Sequence, residues 1–251
     1  MNNNYMYVFT QYNDDYIRIT KKLNPNKQKS CLPTKSTSLT DEQKKVHSDF
    51  CNISRTKNKI KSYILANDWE YFATWTVDSK LCDRYSLQFT QDKMHKLMKK
   101  YKRKYKDFKF IFITENHKDG AFHFHGVVSG MSTDDLYLNK NNYLSSHIFD
   151  ELGFNSFSKI VNINGTANYI LKYITKHCIK NEHNQVYFCS RGLKSSTSYS
   201  VNINCEDDLL FKNGFDNGFI KCKDFLISQC SKEELLLLTQ INEKRNNFLD
   251  F

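Results

Sequence analysis

The sequence predicts an α+β fold: an antiparallel sheet of four or five strands with helices on one face, carrying N- and C-terminal extensions. Two observations predict it. Aromatic and β-branched runs with a two-residue period alternate with segments whose apolar residues recur every three to four positions. The resulting order, β-α-β-β-(α)-β-α, has its two central strands joined by a short polar turn, the mark of antiparallel pairing.

Residues 1–40 mix aromatic, polar and basic residues without a clear period and read as an irregular arm. Leu39-Thr40-Asp41-Glu42 opens a helix that extends to about Asn67. Thr40 is its candidate N-cap, and Asp41 and Glu42 oppose the helix dipole in the first turn. This helix carries Arg55, Lys57, Lys59 and Lys61. Glu70 to Asp78 is the first core strand, in which Thr74 and Thr76 share a face, either to meet a ligand or to pack. Leu87 to Lys106 reads as a long helix. Met94, Leu97, Met98, Tyr101 and Tyr105 follow helical spacing, and Lys99, Lys100, Lys102, Arg103 and Lys104 belong to its cationic remainder. Only Asp92 and Asp107 accompany that run in sequence, so it is either a solvated face or a phosphate-binding one.

Phe108 to Glu115 and Ala121 to Val128 are strands joined by a turn ending in Asp119-Gly120, a hairpin. The second strand holds His123-Phe124-His125. Residues two apart point to one face of a strand, so both imidazoles project together, and the hairpin returns Glu115 toward them. Two imidazoles and a carboxylate suit Mg²⁺ or Mn²⁺ assisted by phosphate oxygens, and can also hold Zn²⁺. His117 shares the parity of Glu115 and is the rival third ligand. Beyond the hairpin, Asp134 to Tyr143 reads as a loop, Leu144 to Leu152 as a short helix and Ser156 to Ile163 as a strand. A helix then presents Tyr169, Lys172, Tyr173 and Lys176 at i, i+3, i+4 and i+7, one stripe, with Ala167, Ile170, Leu171, Ile174 and Cys178 on another. Strands follow at 186–189 and 199–203, and Ser231 through Asn246 reads as a helix.

At 251 residues the chain is long enough for one sizeable core with additions, divided here as an arm and basic helix (1–60), a core (61–204) and a helical extension (205–251). The formal net charge of +10 favours a polyanionic partner. No apolar run reaches the length of a membrane span, and the N-terminus does not read as a signal peptide. Eight cysteines without a Cys-x-x-Cys pair point to a reducing cytoplasm rather than to disulfides or a zinc cluster. Two prolines among abundant Lys, Asn and Ile suggest an AT-rich genome.

Three short segments together resemble the HUH endonucleases, in particular the replication initiators of rolling-circle plasmids and small single-stranded DNA phages. They are Tyr71-Phe72-Ala73-Thr74-Trp75-Thr76, similar to an apolar-x-Thr-apolar-Thr strand; His123-Phe124-His125; and the doubled Tyr-x-x-Lys of Tyr169–Lys172 and Tyr173–Lys176. Trp75 stands where an aliphatic residue is commoner. Ser190-Arg191-Gly192-Leu193-Lys194 resembles a run that often follows the third motif in phage-type members. The resemblance covers roughly residues 60–200 and implies a ferredoxin-like nuclease core. It implies a divalent metal, Mg²⁺ or Mn²⁺, on His123, His125 and Glu115, and catalysis by Tyr169 and Tyr173 aided by Lys172 and Lys176. It implies phosphate contacts by Lys99, Lys100, Lys102, Arg103, Lys104, Arg191 and Lys194. The expected activity is nicking of single-stranded or melted origin DNA, with a 5′-phosphotyrosine link and a free 3′-OH. The expected setting is the cytoplasm of a bacterial host, with host polymerase and helicase as partners and no membrane. The competing readings are a relaxase or single-strand transposase, a nuclease using water as nucleophile, and a non-catalytic basic nucleic-acid-binding protein.

Overall fold

The computed structural model describes residues 5–22, 40–174, 186–203 and 210–246. The chain divides into two compact units, Asp41–Lys194 and a second formed by Met1–Thr40 with Ser195–Phe251.

In chain order the strands and helices are β1 (Tyr5–Gln11), β2 (Tyr16–Lys22), α1 (Asp41–Leu65), β3 (Tyr71–Val77), α2 (Leu87–Lys104), β4 (Lys109–Asn116), β5 (Phe122–Ser129), β6 (Leu136–Leu138), β7 (Leu144–Ser146), β8 (Gly153–Lys159), α3 (Ile163–Lys172), β9 (Tyr187–Cys189), β10 (Thr197–Ile203), β11 (Phe215–Asp216), β12 (Ile220–Leu226) and α4 (Lys232–Asn246). The α+β class and the antiparallel pairing are as expected.

The unit Asp41–Lys194 is built on a seven-stranded sheet in the order β6-β7-β8-β3-β5-β4-β9. It is wider than the expected four or five strands, because the β6–β7 hairpin and β9 extend its two edges. Alternation along the strands sorts side chains to opposite faces. Ala73, Trp75 and Val77 of β3, Phe112 of β4 and Phe124 of β5 join Met94, Leu97, Met98 and Tyr101 of α2 in one buried cluster. Ser86 caps α2 by accepting the Phe89 amide. The other face carries Phe72, Thr74 and Thr76 of β3 beside His123 and His125 of β5. There α3 lies against it, Tyr169 meeting Phe72 at a ring distance of 5.5 Å. α1 packs along α3. The helices therefore divide between the two faces, where the sequence suggested one. Each of α2 and α3 has its own apolar stripe and each sheet face its own apolar set, so both faces need cover.

The hairpin turn closes with the His117 amide on the Ala121 carbonyl at 2.8 Å, and Gly120 takes φ +86°, a conformation that favours glycine. At Gly126 a β-carbon would stand 2.0 Å from the Ile111 carbonyl oxygen, so only glycine lets β4 approach β5 there.

The expected helix over 144–152 is instead β7 followed by a 3-10 turn at His147–Phe149. Buried Asn155 accounts for this: its Oδ1 accepts the Ser146 amide at 2.7 Å, and its carbonyl accepts from Ser145 Oγ at 2.7 Å. These bonds tie 145–146 to β8 and compete with a helix.

The second unit holds a five-stranded sheet, β10-β1-β2-β12-β11. The arm expected to be irregular thus supplies two strands. Its period-two signal, Tyr7 and Phe9 with Ile19, is short and finds its core partners, Leu210, Phe211, Phe225 and Leu238, some two hundred residues away. Arg18 forks onto Asp224 at 2.6 and 2.7 Å across β2 and β12. α4 follows its expected span. Ser231 Oγ accepts the Glu234 amide and Glu234 Oε2 accepts the Ser231 amide, a reciprocal cap. Among the described residues no helix is long and apolar enough to cross a membrane.

Candidate functional site

Strand register assembles the site in rows. Phe154 of β8, Thr76 of β3, His123 of β5 and Glu115 of β4 stand opposite one another across four strands. The next row is Ser156, Thr74, His125 and Ile113. Both histidines thus face the same side, as their spacing requires. Each imidazole is held through Nδ1 by the threonine beside it: Thr76 Oγ1 lies 3.2 Å from His123 Nδ1, and Thr74 Oγ1 lies 3.2 Å from His125 Nδ1. On the far edge of the second ring, His125 Nε2 meets Glu115 Oε2 at 2.7 Å. The two threonines, ambiguous in the sequence between packing and ligand contact, orient the imidazoles. Their shared parity with the histidines was the signal, but only the register shows the pairing.

His117, the rival ligand, stacks on His123 with ring centroids 4.9 Å apart and turns Nδ1 toward Asp119 at 3.4 Å. Asp119 in turn pairs with Arg84 at 3.0 Å. Burial lowers the pKa of His123, and the neighbouring His117 and His125 lower it further. Burial also lowers His125, against the opposing pull of Glu115. Both rings therefore favour the neutral form that binds a metal.

α3 begins at Asn162, whose side chain accepts the Gly165 amide at 2.9 Å. It ends at Lys172, with Tyr173 as C-cap, short of the expected continuation. Ala167, Ile170 and Ile174 of the apolar stripe are buried. Tyr173 is half-buried, its ring face to face with His125 at 4.1 Å. Tyr169 is 45% exposed and stands edge-on to Tyr173 at 5.3 Å. Lys172 Nζ lies 5.8 Å from the centre of the Tyr169 ring. Burial pushes the Tyr173 phenol well above its ordinary pKa, and its hydrogen bond with Tyr169 and the charge of Glu115 add to this. Lys176 and Cys178 lie outside the described residues.

The expected cations divide. Lys100 pairs with Glu151 at 2.5 Å and Lys104 with Asp135 at 2.7 Å. Lys102 donates to the carbonyl oxygens of Phe108, at 2.9 Å, and Lys106. Lys99 and Arg103 are exposed on the same helix. All five sit on α2, across the sheet from the histidines. The run 190–194 is tied to the core at both ends: Phe110 exchanges bonds with Ser190, and the Asn67 side chain bonds both backbone groups of Lys194. Arg191 and Lys194 themselves are exposed.

A tyrosine pair beside an oriented imidazole pair, with a carboxylate on one ring, is a donor and nucleophile set suited to phosphodiester chemistry. Residues 70–178 match a protein-family model. The family is Replication-associated protein ORF2. No curated protein sequence matches the chain. The matched segment runs from the edge of β3 through the hairpin and α3, so it contains Thr74, Thr76, Glu115, His123, His125, Tyr169, Lys172, Tyr173 and Lys176. The match supports a replication-associated protein with the role of an initiator, and in general terms a nicking activity.

The donor types at this site fit a hard divalent cation: two imidazoles oriented through Nδ1, and one carboxylate. Among the described residues, however, no three His, Cys, Asp or Glu side chains are already gathered closely enough to hold one.

Proposed function

We propose that this protein is a rolling-circle replication initiator of the HUH type. It nicks single-stranded or locally melted origin DNA by transesterification to tyrosine. The observation that carries the reading is the surrounding of His125: Thr74 and Glu115 at its two ring nitrogens, Tyr173 on its face and Tyr169 beside that.

A Tyr169 or Tyr173 oxygen attacks the scissile phosphorus. The bond to the 3′-oxygen breaks, the phosphate stays on the tyrosine as a 5′ link, and the departing oxygen takes a proton to become the 3′-OH. The phosphodiester energy is retained, so rejoining needs no nucleotide. A phenol of ordinary pKa about 10 is a weak nucleophile at neutral pH, and burial makes Tyr173 weaker still. Lys172, and Lys176 beyond the described end of the helix, would stabilise the phenolate or the phosphate. His123, His125 and Glu115 would hold Mg²⁺ or Mn²⁺, which when bound supplies charge stabilisation to the non-bridging phosphate oxygens. The free 3′-OH suits extension by a host polymerase, with a host helicase opening the duplex.

Incubation with end-labelled single-stranded origin DNA and Mn²⁺, followed by denaturation, tests this. A covalent protein–DNA adduct is the expected result. Cleavage without an adduct would point to a water nucleophile, and binding without cleavage to a non-catalytic protein.

A further inference from the structure

The row that holds His123 does not stop at Thr76. It ends on β8 at Phe154, whose side chain is 43% exposed on the same face. Tyr143, 54% exposed, stands edge-on to it, ring centroids 6.0 Å apart and planes at 89°. A single exposed aromatic needs no explanation. Two in fixed contact, continuous with an oriented imidazole, present an open π-face where the sheet leaves its helical cover. Two strand spacings separate Phe154 from His123, about 10 Å.

What lies around this end selects the occupant. Thr76 alone stands between Phe154 and His123 in the row, and Ser156 and Ser158 continue the same face of β8. Asp78, just beyond β3, puts a carboxylate near the row's end, where it accepts the Lys80 amide at 2.9 Å. An aromatic face beside a carboxylate receives a nucleobase better than a phosphate, while the hydroxyls of the lane can donate to a sugar–phosphate backbone.

We propose that Phe154, braced by Tyr143, is a stacking platform for one base of single-stranded DNA, a subsite that positions the strand whose phosphate reaches His123. This rests on the nicking reading for its purpose, but stacking itself needs neither metal nor cleavage. Because every base has a π-face, the subsite holds the strand without choosing its sequence.

The test measures binding of labelled oligothymidylate in EDTA. Phe154→Ala is expected to bind about ten-fold more weakly than the unaltered protein. Phe154→Trp is expected to bind as well as the unaltered protein, and its exposed indole to be quenched by the oligonucleotide, while Trp69 and Trp75 are buried. Thermal melting of both variants separates a folding loss from a binding loss. Unchanged affinity in Phe154→Ala, an unquenched indole in Phe154→Trp, or failure of the unaltered protein to bind the oligonucleotide overturns the platform. Full binding with no adduct in Mn²⁺ overturns the nicking reading and leaves the platform standing.

Discussion

The imidazole of His125 and the phenol ring of Tyr173 lie face to face, centroids 4.1 Å apart and planes within 7°. The stack fixes where the end of α3 meets the sheet. It also buries the phenol enough to raise its pKa, so the tyrosine nearest the histidines is the harder of the two to ionise.

Tyr169→Phe and Tyr173→Phe should each still form some covalent adduct on a short origin oligonucleotide, and only the double variant should form none. Phenylalanine preserves the stack on His125 and removes only the oxygen. Trypsin cuts after Lys172, between the two positions, so peptide mapping of the adduct assigns the attacking residue. One dead and one fully active single variant would mean that a single tyrosine reacts.

His123→Ala or His125→Ala should abolish cleavage with most DNA binding kept. Thr74→Val and Thr76→Val keep the shape and remove the hydroxyl at Nδ1. Each should weaken Mn²⁺ affinity or cleavage by about 10- to 100-fold, as loss of an orienting partner does. Wild-type Mn²⁺ titrations in both threonine variants would remove their orienting role. Glu115→Ala should weaken the metal more than His117→Ala; the reverse order would make His117 the third ligand.

Lys99→Gln with Arg103→Gln should flatten the salt dependence of binding to long single strands, by about 0.7 in log–log slope for each phosphate no longer neutralised. Adduct formation on a short oligonucleotide should stay near the unaltered rate, because α2 lies across the sheet from the histidines. Lys100 and Lys104 are paired with Glu151 and Asp135, so replacing them should lower the melting temperature. An unchanged salt slope would leave the Lys99–Arg103 face merely solvated.

Burial raises the carboxyl of Asp135, but hydrogen bonds from Lys104 and Tyr105 outweigh it and bring its pKa below the ordinary value. The unfolded chain then binds the proton more tightly than the folded one. The resulting stability is present above the unfolded value of about 3.9 and is lost as pH falls through the folded one. Asp135→Asn should therefore melt lower than the unaltered protein at pH 7, and the gap should narrow below pH 4. A gap that stays constant from pH 7 to pH 3 would contradict this linkage.

What the sequence determined by itself is local geometry. A two-residue period puts His123 and His125 on one face, Asp119-Gly120 turns the chain, and the shared parity returns Glu115 to that face. Helical spacing likewise places Tyr169, Lys172 and Tyr173 together. Tertiary structure decided what those groups meet, because the partners come from elements tens to hundreds of residues apart. Thr74 reaches His125 across 51 positions, and the register of β3 against β5 alone makes that pair. Phe154 joins the row only because β8 pairs on the far side of β3. Asp135 and Glu151 neutralise cations that have no acidic neighbours along the helix. β1 and β2 are too short and too mixed to declare themselves; they become strands because β10 and β12 supply the hydrogen-bonding edges and Leu210, Phe211 and Phe225 the apolar cover.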